Sequence, residues 1–192
     1  MSSGKVIMLL IVLAAGLSVT HAQTFVPVAY NGKVPAEIDT FPVPPSSNRL
    51  LFYIQRTPNT NTIVYELNDK NGKLDKENPI HPLWIRYQED GRREELSYIQ
   101  RNYAYGIKVK PITDSHYEFS FVSYKKYKLY LEQSANDKNY YVYTVKDNKK
   151  IKLNRVFLKI TGGSFWLPKI EYVELKGIDL LTGKEIVDRF KP

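Results

Sequence analysis

From Ile107 onward, apolar and polar residues alternate along the chain, which is the pattern of a half-buried β-strand. Tyr117 and Phe119, for example, alternate with Glu118 and Ser120. Short stretches with turn residues separate the alternating segments. The alternation predicts strands at 107–112, 117–124, 128–133, 140–146, 151–160, 170–176 and 185–190.

Three further segments rich in β-forming residues precede Ile107, at 49–56, 62–67 and 83–88. In the last, Leu83 and Ile85 fall on one face of the strand, and Trp84 and Arg86 on the other. The connections are too short for crossover helices. We therefore predict a mainly β fold, an antiparallel meander forming a barrel or sandwich. A calycin-like barrel is favoured, because closure removes sheet edges and encloses a cavity.

One short α-helix is predicted near residues 93–105. Leu96, Ile99 and Tyr103 have the spacing of one helical face, and Gly106 is placed to end the helix. The tetrapeptide Tyr-Ile-Gln-Arg occurs at 53–56 and again at 98–101. Its flanking residues predict a strand for the first copy and a helix for the second, so we do not interpret it as an internal repeat.

The N-terminal residues predict export. Lys5 precedes an apolar run from Val6 to Val19, and small residues surround a cleavage point after Ala22. We predict a signal peptide at 1–22 and a periplasmic or secreted protein; an uncleaved anchor is the alternative. No later run is apolar enough to predict a transmembrane segment.

The next residues, 23–48, contain five prolines and predict an extended arm. Phe41 and Val43 are the residues expected to hold this arm on the core. Residues 49–192 are predicted to form a single β-rich domain, since the chain after residue 22 is long enough to bury one core.

The formal net charge of +8 is concentrated between Lys108 and Lys169, where 13 basic residues face 5 acidic ones. A basic, tyrosine-rich surface attracts phosphate, lipid head groups, acidic glycans or nucleic acid. The simpler interpretation places these lysines on the solvent side of strands, where they discourage edge-to-edge pairing. We do not expect nucleic acid to be a partner.

Recognisable catalytic and cofactor motifs are missing from the sequence. It has no cysteine, and His81 and His116 lie in separate segments without a ligand-spaced partner, so no metal site is predicted. The nucleophile-elbow, Walker A and dinucleotide-binding patterns are also missing, so no cofactor is predicted. The acidic pairs Glu89–Asp90 and Glu94–Glu95 are interpreted as a turn and a helix start rather than as catalytic carboxylates.

A candidate ligand site combines guanidinium groups with aromatic faces. Arginine offers a rigid donor fork for a carboxylate or phosphate, and tryptophan or tyrosine offers a stacking surface. Such a set suits an acidic or sugar-like ligand; the alternative is a network that joins the helix to the sheet. The candidate residues are Arg56, Trp84, Arg86, Gln100, Arg101, Asn102 and Tyr105.

Three functions remain open. The favoured one is non-enzymatic binding of a small molecule, a lipid or an envelope polymer, because catalytic motifs are missing. The second is a hydrolase acting on an envelope polymer or phosphoester, with Arg86 and Arg101 holding the anion and His81 or Glu95 as acid or base. The third is a structural protein that docks on a partner through its N-terminal arm.

Three segments carry a family resemblance: NRLLFYIQRTPNTNTIVYELN, HPLWIRYQEDG and LSYIQRNYAYGIK. They resemble DUF4833, a family of exported bacterial proteins that is defined as a domain of unknown function. The resemblance covers most of the chain after residue 22 and is densest from Asn48 to Lys108. It implies export and a single domain, and it implies no activity, cofactor or catalytic residue.

Overall fold

The computed structural model describes residues 40–164 and 167–192. A strongly curled mixed sheet forms a half-barrel with very little helix, which confirms the predicted mainly β, barrel-like fold class. Within these residues, no helix is long and apolar enough to cross a membrane. The predicted signal peptide at 1–22 and the arm as far as residue 39 lie outside the described residues.

The described residues form thirteen strands and one short helix, several at the positions that the alternation predicted. The strands are β1 (Leu50–Arg56), β2 (Asn59–Leu67), β3 (Asp69–Lys70), β4 (Lys73–Leu74), β5 (Ile80–Ile85), β6 (Arg93–Glu95), β7 (Ile107–Thr113), β8 (His116–Phe121), β9 (Leu129–Gln133), β10 (Tyr140–Lys146), β11 (Lys149–Gly163), β12 (Pro168–Asp179) and β13 (Glu185–Phe190). The order along the main sheet is β6-β5-β2-β1-β11-β10-β9-β8-β7, and β12 pairs with β11 and β13.

Strand β11 is the branch point of the sheet. One of its edges pairs with β12, while the other pairs first with β10 and then with β1. Strand β1 runs parallel to β11, with Arg56 opposite Leu158, so the sheet is not the purely antiparallel meander that was predicted. The cause is the length of β11: β10 covers only residues 149–152, which leaves room for β1 to pair with residues 155–158 on the same edge.

The main core fills the concave side of the half-barrel. Phe52 of β1 stacks on Tyr65 of β2 with ring centroids 4.4 Å apart, and it reaches Phe119 of β8 at 6.3 Å. Leu131 and Leu153 are fully buried in the same cluster. Aromatic contacts across the sheet therefore hold its two ends together.

Strand β5 is buried on both faces. Leu83 and Ile85 pack with Val64 in a separate cluster, whereas Trp84 belongs to the main core. The predicted alternation is confirmed, although the strand begins earlier than predicted, at Ile80, and ends at Ile85.

The predicted helix is shorter than expected. Residues 98–104 are helical, and Gln100–Ala104 have π-helical geometry. The repeated tetrapeptide is therefore a strand at 53–56 and helical at 98–101, as predicted. The prediction of an α-helix over 93–105 is wrong at its start, because Arg93–Glu95 instead pair with β5 as an edge strand.

The predicted apolar face of this helix is not buried. Leu96 is buried but precedes the helix, while Ile99 and Tyr103 are 45% and 58% exposed. Gly106 does end the helix, and its reason is steric: a Cβ atom there would overlap the Arg101 carbonyl group.

The end of the N-terminal arm packs on the sheet through one of the two predicted residues. Phe41 is buried and meets Phe157 edge to face at 5.4 Å, and Gln55 Nε2 donates to the Pro42 carbonyl oxygen at 2.8 Å. Val43 is 70% exposed, so its predicted role in holding the arm is wrong.

Thr57 fastens the end of β1 to β11. Its buried hydroxyl donates to the Ile160 carbonyl oxygen and accepts from the Ile160 N–H, both at 2.8 Å. The Thr57 N–H also donates to the Leu158 carbonyl oxygen at 3.1 Å. The parallel pairing of β1 and β11 therefore ends in two hydrogen bonds between the Thr57 side chain and the Ile160 backbone, which we call the Thr57 clasp.

We predict that Thr57→Val, which replaces the hydroxyl group by a methyl group of similar size, lowers the free energy of unfolding by about 2 kcal/mol, because the N–H and C=O groups of Ile160, which are partly buried, lose this partner. Thr161→Val, at an exposed position on the same strand, is the matched control and should change it by less than about 0.5 kcal/mol. Urea denaturation measures both. Equal losses of stability in the two variants would contradict the role of the Thr57 clasp.

Candidate functional site

Trp84 is the centre of a cluster that includes most of the predicted site residues. It is 1% exposed, and its Nε1–H donates to Gln100 Oε1 at 3.1 Å. The Arg86 and Arg56 guanidinium carbons lie 4.9 and 5.6 Å from the indole centroid. The Tyr105 ring meets the indole edge to face at 5.4 Å. We call these five residues the Trp84 cluster.

Arg101 and Asn102, the other two predicted residues, make different contacts. Arg101 Nη2 donates to Glu95 Oε2 at 2.9 Å, and Asn102 Nδ2 donates to the Tyr98 carbonyl oxygen at 2.8 Å. Asn102 thus closes a hydrogen bond within its own helix. The structure brings five of the seven predicted residues together and places these two outside the cluster.

Arg86 is fully engaged by a carboxylate. Its Nε and Nη2 atoms donate to Glu94 at 3.0 and 2.8 Å, a bidentate pair. The hydrogen bond from Arg86 is the main cause of a lowered pKa for Glu94, and the same bond raises the pKa of Arg86. For Arg86, the structure therefore agrees with the alternative interpretation, in which the arginine belongs to a packing network rather than to a ligand site.

Arg56 differs from every other arginine of the chain. All eight arginines lie in the described residues, and seven of them pair there with an Asp or Glu side chain. Arg56 has no such partner among residues 40–164 and 167–192, and its buried Nε has no hydrogen-bond partner there. Burial raises the pKa of Tyr105, and the charge and hydrogen bond of Arg56 oppose that rise.

Arg56 lines an apolar cavity of about 410 Å³ on the concave side of the half-barrel. Strands β1, β11 and β12 supply much of the wall, including Ile54, Leu153, Val156 and Val173. Among the described residues that line the apolar cavity, Arg56 is the one charged side chain. A single cationic side chain thus faces wall side chains that are otherwise uncharged.

Tyr127 also lines the apolar cavity. Burial is the largest influence on its hydroxyl group and, against a hydrogen bond from Thr144 at 3.2 Å, raises the pKa of Tyr127 to about 12. The phenol therefore remains uncharged at neutral pH and adds no charge to the wall of the apolar cavity.

A second, polar cleft of about 720 Å³ holds Arg101 and His81. His81 Nε2 lies 2.9 Å from the Glu95 carboxylate, which also accepts from Arg101. Burial raises the pKa of Glu95, but hydrogen bonds and charge from His81 and Arg101 outweigh it, so the net shift is downward. A carboxylate held ionised is a poor general acid.

The residues that the hydrolase hypothesis needs lie in two places. Arg101 and His81 line the polar cleft, whereas Arg86 lies against Trp84 and Glu94. The structure does not bring Arg86 and Arg101 together around one anion. Within the described part of the chain, no three His, Asp or Glu side chains are grouped to hold a metal ion.

Sequence reasoning missed most of the cavity wall. Leu153, Val156 and Val173 belong to strands that the alternation predicted, but their shared cavity depends on where β1 and β12 join β11. The alternation assigns each residue to a face of its strand. It carries no signal for the parallel pairing that sets Arg56 beside these residues.

The comparisons with known proteins place the chain in one family. A family model described as "Domain of unknown function (DUF4833)" matches residues 52–189. No curated protein and no solved structure matches the chain. The matched residues include the Trp84 cluster and nearly all of the apolar cavity.

We predict that Arg56→Met changes the free energy of unfolding by no more than about 1 kcal/mol, because no carboxylate loses a partner and the new side chain is apolar like the wall. Arg86→Met should lower it further, since Glu94 then loses both Arg86 donors and keeps only the longer contact with Arg92 at 3.5 Å. Chemical denaturation of the two variants measures the difference. A larger loss for Arg56→Met would mean that Arg56 serves packing.

We predict that the alkaline loss of stability depends on Tyr127. Because the folded state disfavours its phenolate, the stability that Tyr127 contributes is intact below pH 10.0 and is lost as the pH rises toward about 12. Tyr127→Phe should reduce this loss by about 3 kcal/mol, measured by denaturation at several pH values. Thr144→Val, which removes the hydrogen bond and keeps the phenol, should retain the loss; an unchanged loss in Tyr127→Phe would contradict the assignment.

Proposed function

We propose that this chain, which belongs to the family DUF4833, binds an amphiphile with an anionic head group in its apolar cavity. An ionised fatty acid is the simplest such ligand. The observation that carries the proposal is Arg56, the arginine without a carboxylate partner among the described residues, at the wall of that cavity. Non-enzymatic binding of an acidic or lipid-like ligand is the function that this arrangement supports best.

The apolar wall supports an alkyl chain as the other half of the ligand. Ligand cavities commonly span a few hundred cubic ångströms and combine apolar walls with a few placed polar groups. At roughly 30 Å³ per heavy atom, the liquid volume of one water, a cavity of about 410 Å³ accepts about 14 heavy atoms. Dodecanoate, with a chain of twelve carbons, matches that size.

The surroundings of Arg56 support an anionic head group. A cation at an apolar wall has lost part of its hydration, and this loss is costly unless an anion is supplied. Trp84 and Tyr105 lie 5.6 and 5.9 Å from the guanidinium carbon and keep its position by cation–π contact. The planar donor fork of arginine matches a carboxylate or a phosphate.

Access to the apolar cavity is available at its rim. Tyr103 and Leu167 line the cavity and are 58% and 80% exposed. A ligand can therefore enter past these two side chains while its head group remains near Arg56, which is half-buried.

The other two hypotheses have less support. Arg86 and Arg101, the anion-binding pair of the hydrolase hypothesis, lie in two separate places. The N-terminal arm that would dock on a partner lies mostly outside the described residues. Export remains a proposal from residues 1–22. A periplasmic or secreted protein that carries amphiphiles is consistent with that proposal.

We predict that isothermal titration calorimetry detects one dodecanoate per chain. Arg56→Gln should lower the affinity for dodecanoate by about ten- to a hundredfold, which is the contribution of a charge-assisted hydrogen-bonded pair. The affinity for 1-dodecanol should not change, since the alcohol has no charge. Octanoate should bind roughly a hundredfold more weakly than dodecanoate, because each buried CH₂ contributes about 0.8 kcal/mol.

The matched control is Arg92→Gln, since Arg92 pairs with Asp90 and lies outside the cavity wall. This variant should bind dodecanoate like the unchanged chain. No dodecanoate binding by the unchanged chain, or equal weakening by both substitutions, would overturn the proposed function.

A further inference from the structure

We propose that the mouth of the apolar cavity docks on an anionic lipid bilayer, so that the amphiphile passes between bilayer and cavity without crossing water. We define the mouth as Tyr103 together with residues 123–127, 167–171 and 190–192. The inference rests on the proposed function for the identity of the transferred molecule. The docking itself rests on the surface chemistry of the mouth.

The mouth exposes large apolar side chains beside the opening. Leu167 is 80% exposed and Tyr103 is 58% exposed, and both line the cavity. Exposed apolar side chains at the opening of an apolar cavity, with charged residues around them, are typical of an interaction site. A leucine and a tyrosine at such an edge suit the boundary between lipid head groups and acyl chains.

The mouth is also basic. Lys125, Lys126, Lys169 and Lys191 are exposed, and none pairs with a carboxylate of the described residues. Glu171 is the one acidic residue of the mouth segments. Elsewhere in the described residues, some lysines pair with carboxylates, such as Lys128 and Lys146, while others, such as Lys70, do not, so the mouth is distinguished by the clustering of its lysines around the opening. Each lysine close to an anionic bilayer adds to the attraction, which fits this group of four.

The lysines and the cavity wall alternate along the same segments. Lys125 and Lys126 lie between Tyr124 and Tyr127, which line the cavity. In the same way, Lys169 lies between the lining residues Pro168 and Ile170, and Lys191 lies between Phe190 and Pro192. Basic groups therefore flank the apolar opening on three segments.

A bilayer fits this mouth better than an acidic protein partner does. Its head groups supply the anions that the lysines attract, and its acyl region meets Leu167 and the opening at the same time. It is also the reservoir of the proposed ligand. A bilayer therefore matches both the basic rim of the mouth and the apolar opening within it.

The chain contains no cysteine, so one introduced cysteine can carry a single fluorescent probe. We would label Leu167→Cys in the full chain with a dye that is sensitive to polarity. Vesicles with about 30% phosphatidylglycerol in phosphatidylcholine should shift its emission to the blue, whereas neutral phosphatidylcholine vesicles should not. Because the probe reports only from the mouth, insertion of residues 6–19 elsewhere does not imitate the signal.

The matched control is Lys70→Cys, labelled in the same way, on the β3–β4 hairpin at the far end of β2 from Arg56. Its emission should not change with either vesicle. In the labelled Leu167→Cys chain, Lys125→Glu with Lys126→Glu should weaken binding to anionic vesicles by about tenfold or more. The same two changes at Lys70 and Lys73 should have less than about a twofold effect.

No emission shift at position 167, or equal shifts at positions 167 and 70, would overturn the docking proposal. So would an equal response to neutral and anionic vesicles. Calorimetry with dodecanoate on the Lys125→Glu/Lys126→Glu variant separates the two claims. Unchanged dodecanoate affinity with lost vesicle binding supports the mouth as a docking surface, and dodecanoate binding without any vesicle response leaves the proposed function and removes the docking.

Discussion

The parallel pairing of β1 with residues 155–158 of β11 is the constraint on which the rest of the fold depends. It sets Arg56 opposite Leu158 and divides the sheet into two parts that share β11. The Thr57 hydroxyl closes this pairing on Ile160. Because β12 pairs along the other edge of β11, the residues that face each other across this branch enclose an apolar cavity with Arg56 at its wall.

Charge placement separates the structural arginines from Arg56. Glu174 is fully buried, yet each of its oxygens accepts from an arginine: Arg155 at 3.0 Å and Arg189 at 2.7 Å. Surface arginines such as Arg92 likewise have carboxylate partners. The protein thus neutralises buried charge where the charge serves folding. Arg56 differs from these arginines. Its half-buried guanidinium group contacts two aromatic rings and no carboxylate among the described residues, so it is suited to bind an anion supplied by a ligand.

Much of the fold follows from the sequence because alternation is a local property. Trp84 and Arg86 were assigned to one face and Leu83 to the other, and the two faces of β5 pack in separate clusters as expected. Identical tetrapeptides were separated into strand and helix by their neighbours alone. Local pattern decides both cases, since each depends on residues within a few positions.

The remainder depends on partners that are distant in the sequence. Nothing local distinguishes Arg56 from Arg86: both are arginines near aromatic residues, and the difference is that Glu94 accepts from Arg86 and not from Arg56. The helix over 93–105 was overestimated because β5 offered an edge for Arg93–Glu95 to pair with. Composition predicted a ligand site with arginine and aromatic residues, and only the fold shows that Arg56 is the arginine without a carboxylate partner among the described residues.

The central claim is that an anionic head group and an alkyl chain occupy the same cavity, one on Arg56 and the other along the wall of β11 and β12. A crystal structure of the chain with dodecanoate tests it most directly. We expect the carboxylate within hydrogen-bond distance of the Arg56 guanidinium and the alkyl chain against Leu153 and Val156. A dodecanoate whose carboxylate lies away from Arg56, or whose chain lies outside the half-barrel, would contradict the account.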